Sequence, residues 1–361
     1  MLLMMVVGML VGVGLARGLI PAFGLRSSMA IFSPWDLLVL PLLWLLVIGI
    51  HEAGHLFVGL GKGMRFLLFI IGPFGLVRSG DGIRFRWFFK LGAFSGLAAV
   101  LPRADRPLAA QMQPMALGGP VASLMLAVVA LLLFKVTDGR VSAYSLVTGL
   151  LSALVFALTA LPLRTGGFMS DGMQWLSYRR GGAEVQQRAR LMALMGLSLS
   201  GTRPRDLDSA LLQHIQAAAG GETLSDMSVW LYSYMHALDR QDVEAAQGWS
   251  QLMAGSIDAY VDGFKQAIAT ELALFSALYQ HDTEEAQRWL ARSKGGVVDA
   301  SRRDLARAAV AVLEGNTTQA TRSLDDAQRR LHHGMDAGIA HLTADQISAL
   351  RDTLAQSTRA A

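Results

Sequence analysis

Four apolar runs fill the first half of the chain: Leu2 to Ile20, Leu37 to Leu60, Met115 to Phe134 and Tyr144 to Leu163. Each reaches the roughly 20 residues that a helix needs to cross the hydrocarbon layer of a bilayer. No water in that layer satisfies backbone N–H and C=O groups, so lipid-exposed runs of this length have to be helical. The chain therefore reads as an all-α polytopic membrane protein with about four spanning helices. The first run lacks a positive n-region and carries Arg17 late, which favours a retained span over a cleaved secretory signal.

Charge divides the chain where the apolar runs stop. Up to residue 174 there are 13 Lys or Arg against 6 Asp or Glu, and beyond it 19 against 22. Eight of the basic residues lie between Lys62 and Met112, so the positive-inside rule puts that loop in the cytoplasm. Four spans then put both termini there too, in a multi-pass protein of the cell membrane. No basic helix interleaved with aromatics is present, and nucleic acid is not an expected partner. The absence of cysteine excludes disulfides and thiolate metal sites.

Inside the second run, IGIHEAGHLF places His51, Glu52 and His55 within five positions. An ionisable side chain at the centre of a membrane helix costs about 2.5 to 3.5 kcal/mol on insertion scales, so three together need a partner that offsets this. On a helix His51 and His55 are i and i+4 and stack on one face, with Glu52 beside them. Two neutral ring nitrogens suit Zn²⁺, and a neighbouring carboxylate suits proton transfer from water. These are the only histidines before His214, and Glu52 is the only glutamate before Glu184, so nothing else in the membrane half competes for the roles. The bland alternative is a pair of buried, hydrogen-bonded histidines.

A catalytic zinc takes a third protein ligand, and here it has to be an aspartate. Asp36 and Asp138 lie at the opposite membrane face, and Asp81 and Asp105 sit among arginines in the basic loop. Asp171 follows the fourth span through LPLRTGGFMSDG, where Pro162 and the pair Gly166 and Gly167 break the helix and let the chain turn a carboxylate back. Asp171 also makes sense as the cap of the next helix.

HEAGH on a membrane helix, GGPVAS (Gly118 to Ser123) on a later one, and the proline exit followed by SDG (Ser170 to Gly172) resemble the site-2 protease family of intramembrane zinc metalloproteases. The resemblance covers about residues 37 to 180. It implies Zn²⁺ on His51, His55 and Asp171, with Glu52 as general base. The family's Gly-Pro-x-x-Asn has Ser123 at its last position, and its Asn-x-x-Pro has Thr159 with a longer interval to the aspartate. Substrate-backbone contact is implied for both residues.

Between the second and third spans, FGLVR and IRFRWFF flank a turn at Ser79 to Gly82, which reads as a small interfacial β-hairpin. Such a hairpin would either receive a substrate as an added strand or anchor the chain at headgroup depth. Beyond Arg180 the sequence is soluble and helical. Ala237 to Trp249, Ala277 to Trp289 and Ala311 to Ser323 align without gaps at offsets of 40 and 34 residues, close to the tetratricopeptide period.

The expected organisation is a membrane-embedded metalloprotease domain at 1–180 and a cytoplasmic helical-repeat domain at 181–361 that binds a peptide or protein partner. The expected activity is cleavage of membrane-spanning protein substrates near the cytoplasmic face. A non-proteolytic scaffold whose repeats do the work is the alternative.

Overall fold

In the computed structural model, residues 38–79, 82–87, 96–103, 105–165, 168–217, 219–220, 224–259, 264–295, 298–334 and 336–360 are described. The first apolar run, Asp36 and Asp81 lie outside the described residues. The other three runs are helices long and apolar enough to span a membrane: α1 (Leu40–Gly61), α2 (Leu108–Val136) and α3 (Gly139–Ala160). Their leucines and valines, including Leu42, Leu46, Val128, Leu132, Leu150, Leu154 and Leu158, are exposed, as lipid-facing residues are. The helices meet through small residues: a methyl group on Gly54 would lie 2.2 Å from the Gly118 carbonyl oxygen, so α1 and α2 approach as closely as backbones allow.

α1 stops for a local reason. Gly63 adopts a left-handed φ of 80°, its N–H donates to the Leu60 carbonyl and the Met64 N–H to the Gly59 carbonyl. This is the Schellman closure, and Met64 tucks back against Leu56 as its hydrophobic contact. The chain leaves directly into β1 (Arg65–Ile71), followed by β2 (Phe74–Ser79), β3 (Gly82–Trp87) and β4 (Gly96–Leu101).

The expected hairpin is present as β2 and β3, paired from Phe74↔Trp87 to Ser79↔Gly82. It is half of a four-stranded antiparallel sheet in the order β3-β2-β1-β4, so the described residues are mostly helical, as expected, with a sheet two strands larger than the expected hairpin. Strand β1, RFLLFII, shows no alternation because both its faces are largely covered, and β4, GLAAVL, is made of small residues because it lies along α1. A methyl on Gly96 would strike Ile48 and Glu52, and one on Gly59 would strike Val100.

After α3 come a two-residue hairpin, β5 (Arg164–Thr165) and β6 (Phe168–Met169), then α4 (Asp171–Arg180) and α5 (Ala183–Leu199). α5 has two apolar faces. Val185 and Met192 join Leu56, Met64, Val100, Met112 and Tyr178, while Leu191 and Leu194 join Leu207, Leu212, Ile215 and Tyr232.

α6 (Ser209–Gln216) leads to three helical hairpins: α7 (Leu224–Asp239) with α8 (Val243–Ser256), α9 (Phe264–Phe275) with α10 (Thr283–Arg292), and α11 (Ala300–Leu313) with α12 (Thr317–Arg330). α13 (Ala337–Ala360) closes the described chain. The three aligned segments adopt one turn. Gln241, His281 and Gly315 have φ of 62°, 55° and 71°, and the next residue, Asp242, Asp282 or Asn316, caps the following helix by accepting from the N–H three residues on. Ala246, Ala286 and Ala320, again equivalent, are fully buried where helices cross. Inside this lobe Arg302 and Glu271 form a buried ion pair, and Gln346 Oε1 accepts from Arg302 Nη1 at 2.7 Å, so neither charge is left unpaired.

Candidate metal centre

His51 and His55 project from one face of α1, and both are buried. His55 lies six residues before Gly61, about 9 Å from the helix end at the α-helical rise, so the pair sits within the span near its loop-side end. Asp171 arrives from α4. Its carboxylate Oδ2 is 3.2 Å from His51 Nε2 and 3.4 Å from His55 Nε2, and the two ring nitrogens are 3.3 Å apart. Among the described residues this is the group of three ligand-type side chains whose donor atoms converge.

The triangle fits a tetrahedral metal. Ligand atoms about 2.0–2.1 Å from zinc stand about 3.3–3.4 Å from one another along the edges of a tetrahedron. Two imidazoles and one carboxylate also match the donor set of catalytic zinc, with one vertex left over.

Each ring is held from behind. His55 Nδ1 lies 2.8 Å from the Met115 carbonyl, which only accepts; Nδ1 therefore carries the proton, and Nε2 presents its lone pair to the centre. His51 Nδ1 lies 2.9 Å from the Ser123 hydroxyl, and the Ser152 hydroxyl donates to the Ser123 carbonyl at 2.8 Å, tying α3, α2 and α1 together behind that ring. Gly119 leaves room for His55, since a methyl there would lie 2.2 Å from Nε2.

The capping role considered for Asp171 belongs to Ser170, whose hydroxyl accepts from Met173 N. Asp171 is the first residue of α4 and is free to face the histidines. The long interval from Pro162 is absorbed by β5 and β6: the Ser170 hydroxyl accepts from Leu163 N and donates to the Leu161 carbonyl, so the chain returns to where it left α3. Gly172 then packs flat on the end of α3, where a methyl would come within 1.9 Å of the Ala160 carbonyl oxygen. An Asp-Gly pair is required here because the aspartate's neighbour has no room for a side chain.

Glu52 points from α1 toward β4, where the Ala98 N–H donates to its carboxylate and Gly96 packs against its stem. Among the described residues β4 is an edge of the sheet, and the strand beside Glu52 is β4 and not the β2–β3 hairpin singled out in the sequence. Ser123 is fully buried against His51. Thr159 donates to the Val155 carbonyl of its own helix. Met115, Ser152 and Gly96 escaped sequence reasoning. A main-chain carbonyl carries no side-chain signal, and a serine among many in an apolar helix is unremarkable.

If this is a metal centre, Ser123→Ala is expected to weaken zinc binding about 10–100-fold, the usual effect of removing a ligand's supporting hydrogen bond, and Ser123→Thr to restore most of it. Competition against a chelator of known affinity checks this.

The family model described as peptidase family M50 matches residues 39–320, from the start of α1 into the last helical hairpin. No curated protein and no solved structure matches the chain.

Proposed function

Because the chain belongs to peptidase family M50, a family of intramembrane, in general zinc-dependent, metalloproteases, we propose that it is a zinc endopeptidase cutting membrane-anchored protein substrates near the cytoplasmic face. The observation that carries this reading is the convergence of His51, His55 and Asp171 into a tetrahedral face with Glu52 next to it in sequence.

Zinc, when bound by His51, His55 and Asp171, supplies Lewis-acid polarisation of the scissile carbonyl and acidifies water. Glu52 takes a proton from the attacking water and returns it to the leaving amine. The Met115 carbonyl keeps His55 in the tautomer that ligation needs, and the Ser123 hydroxyl orients His51. A helical substrate hides its carbonyls in internal hydrogen bonds and has to unwind before attack. The outer edge of β4, running beside Glu52, is the natural place for an unwound segment to add as a strand. Ser123 then acts through His51, and Thr159 contributes little to substrate binding.

In this reading the basic loop and both termini lie in the cytoplasm. Residues 1–180 form the protease domain, and 181–361 a tetratricopeptide-like domain whose hairpins bind a protein partner or the substrate's soluble part. The test compares membrane proteomes of cells carrying the active chain and Glu52→Gln. Membrane-bound stubs of single-span proteins should accumulate in the variant, and identical stub profiles would overturn the proposal.

A further inference from the structure

The two faces of the β2–β3 hairpin differ sharply. Phe74, Leu76, Ile83, Phe85 and Trp87 are exposed, with the Phe74 and Trp87 rings 5.2 Å apart and the Phe85 and Trp87 rings 5.4 Å apart. Successive residues of a strand point to opposite faces, so Arg86 lies behind Trp87. There its Nη2 donates to the His333 carbonyl at 3.4 Å, just beyond α12.

Three more guanidinium groups gather on that side. Arg307 and Arg330 both donate to Asp304, at 3.0 and 2.7 Å, and Asp304 is almost fully buried. Arg303, the residue before Asp304, has a buried Nε with no hydrogen-bond partner among the described residues. Its burial and the charges of Arg307, Arg330 and Arg86 depress its pKa below the ordinary arginine value. Asp326, whose charge also acts on Asp304, is paired with Arg329. Four cations against one anion leave a surplus of three positive charges around an unpartnered donor.

We propose that this cluster of Arg86, Arg303, Arg307 and Arg330 is an anion site that takes the phosphate of an acidic phospholipid headgroup. Guanidinium forks suit phosphate oxygens, and a missing counter-anion accounts both for the like charges held together and for the idle Nε. The lipid source follows from Trp87. An exposed aromatic cluster on a protein with membrane-spanning helices sits at headgroup level, and Arg86 shares its depth on the same strand. Acidic lipids concentrate at such basic surfaces. Occupancy would pin the helical lobe to both the hairpin and the membrane.

The experiment uses the full-length chain in nanodiscs of phosphatidylcholine, alone or mixed with phosphatidylglycerol, followed by native mass spectrometry. Phosphatidylglycerol should stay bound in preference to phosphatidylcholine. Retention should fall about tenfold or more in Arg303→Gln, as expected for one charge-assisted hydrogen bond, and persist in Arg303→Lys and in Arg351→Gln, whose ion pair with Asp325 lies elsewhere. If Arg303→Gln does not fold, Arg307→Gln, on a more exposed side chain, reads the same loss. Equal retention of the two lipids, or no change in the glutamine variants, overturns the proposal. Binding of inorganic phosphate to the lipid-free chain, lost in Arg303→Gln and undiminished by lipid, would make the ligand a soluble phosphate and overturn the lipid assignment.

Discussion

Glu52→Gln is expected to give a chain that folds, keeps its metal and no longer cuts. Glutamine has the same shape, and its amide oxygen still accepts from the Ala98 N–H, so the packing between α1 and β4 is preserved. What it lacks is a basic oxygen. A positioned general base contributes about 10²–10⁴-fold, which at about 1.36 kcal/mol per decade is roughly 3–5 kcal/mol of barrier. Because Glu52 serves both water and leaving group in the proposed cycle, the upper end of that range is expected. Cleavage of a tagged membrane-anchored reporter, with zinc per chain by elemental analysis, measures both halves of the claim. Cleavage within tenfold of the wild type would remove Glu52 from the mechanism.

Asp171→Asn should have the opposite signature, with metal lost and the fold kept. The carboxylate oxygen closes the triangle with His51 Nε2 and His55 Nε2, and a neutral amide is a weaker donor to a dication. Removing a supporting hydrogen bond costs 10–100-fold in affinity, so removing a ligand charge should cost at least about 10³-fold. Loss of zinc on dialysis against a mild chelator, with unchanged helical circular dichroism, is the expected result. Full occupancy would show that Asp171 is not a ligand. The pair of variants also separates the two roles, since Glu52→Gln retains zinc and Asp171→Asn does not.

Much of this centre was legible in the chain because the membrane makes polar residues conspicuous. Two histidines and a glutamate in an apolar run stand out, and weighing the five aspartates of the first half favoured Asp171. The three spans were legible from length alone. The sheet was not, beyond its turn. β1 is a continuous apolar run following α1 without a polar break, and β4 is built of small residues whose purpose appears only when Gly96 and Val100 are seen against Glu52 and Gly59. Ser123 shows a different limit. Its position in the GGPVAS stretch suggested substrate contact, and the hydrogen bond between its hydroxyl and His51, a partner 72 residues away, is one that no local pattern announces. The helical repeats were visible as an ungapped alignment, but the left-handed backbone at Gln241, His281 and Gly315 was not, since only the third is a residue that favours it.

The small β5–β6 excursion has a consequence for the whole design. Because Ser170 is bonded back to Leu161 and Leu163, the chain between them is a side trip that returns to its point of departure. Its contour length therefore does not set where the carboxylate ends up, and residues could be added at or trimmed from the tip while the donor stays in register. Reach along the polypeptide and reach through space are decoupled at the one junction where the cleavage machinery depends on a remote segment.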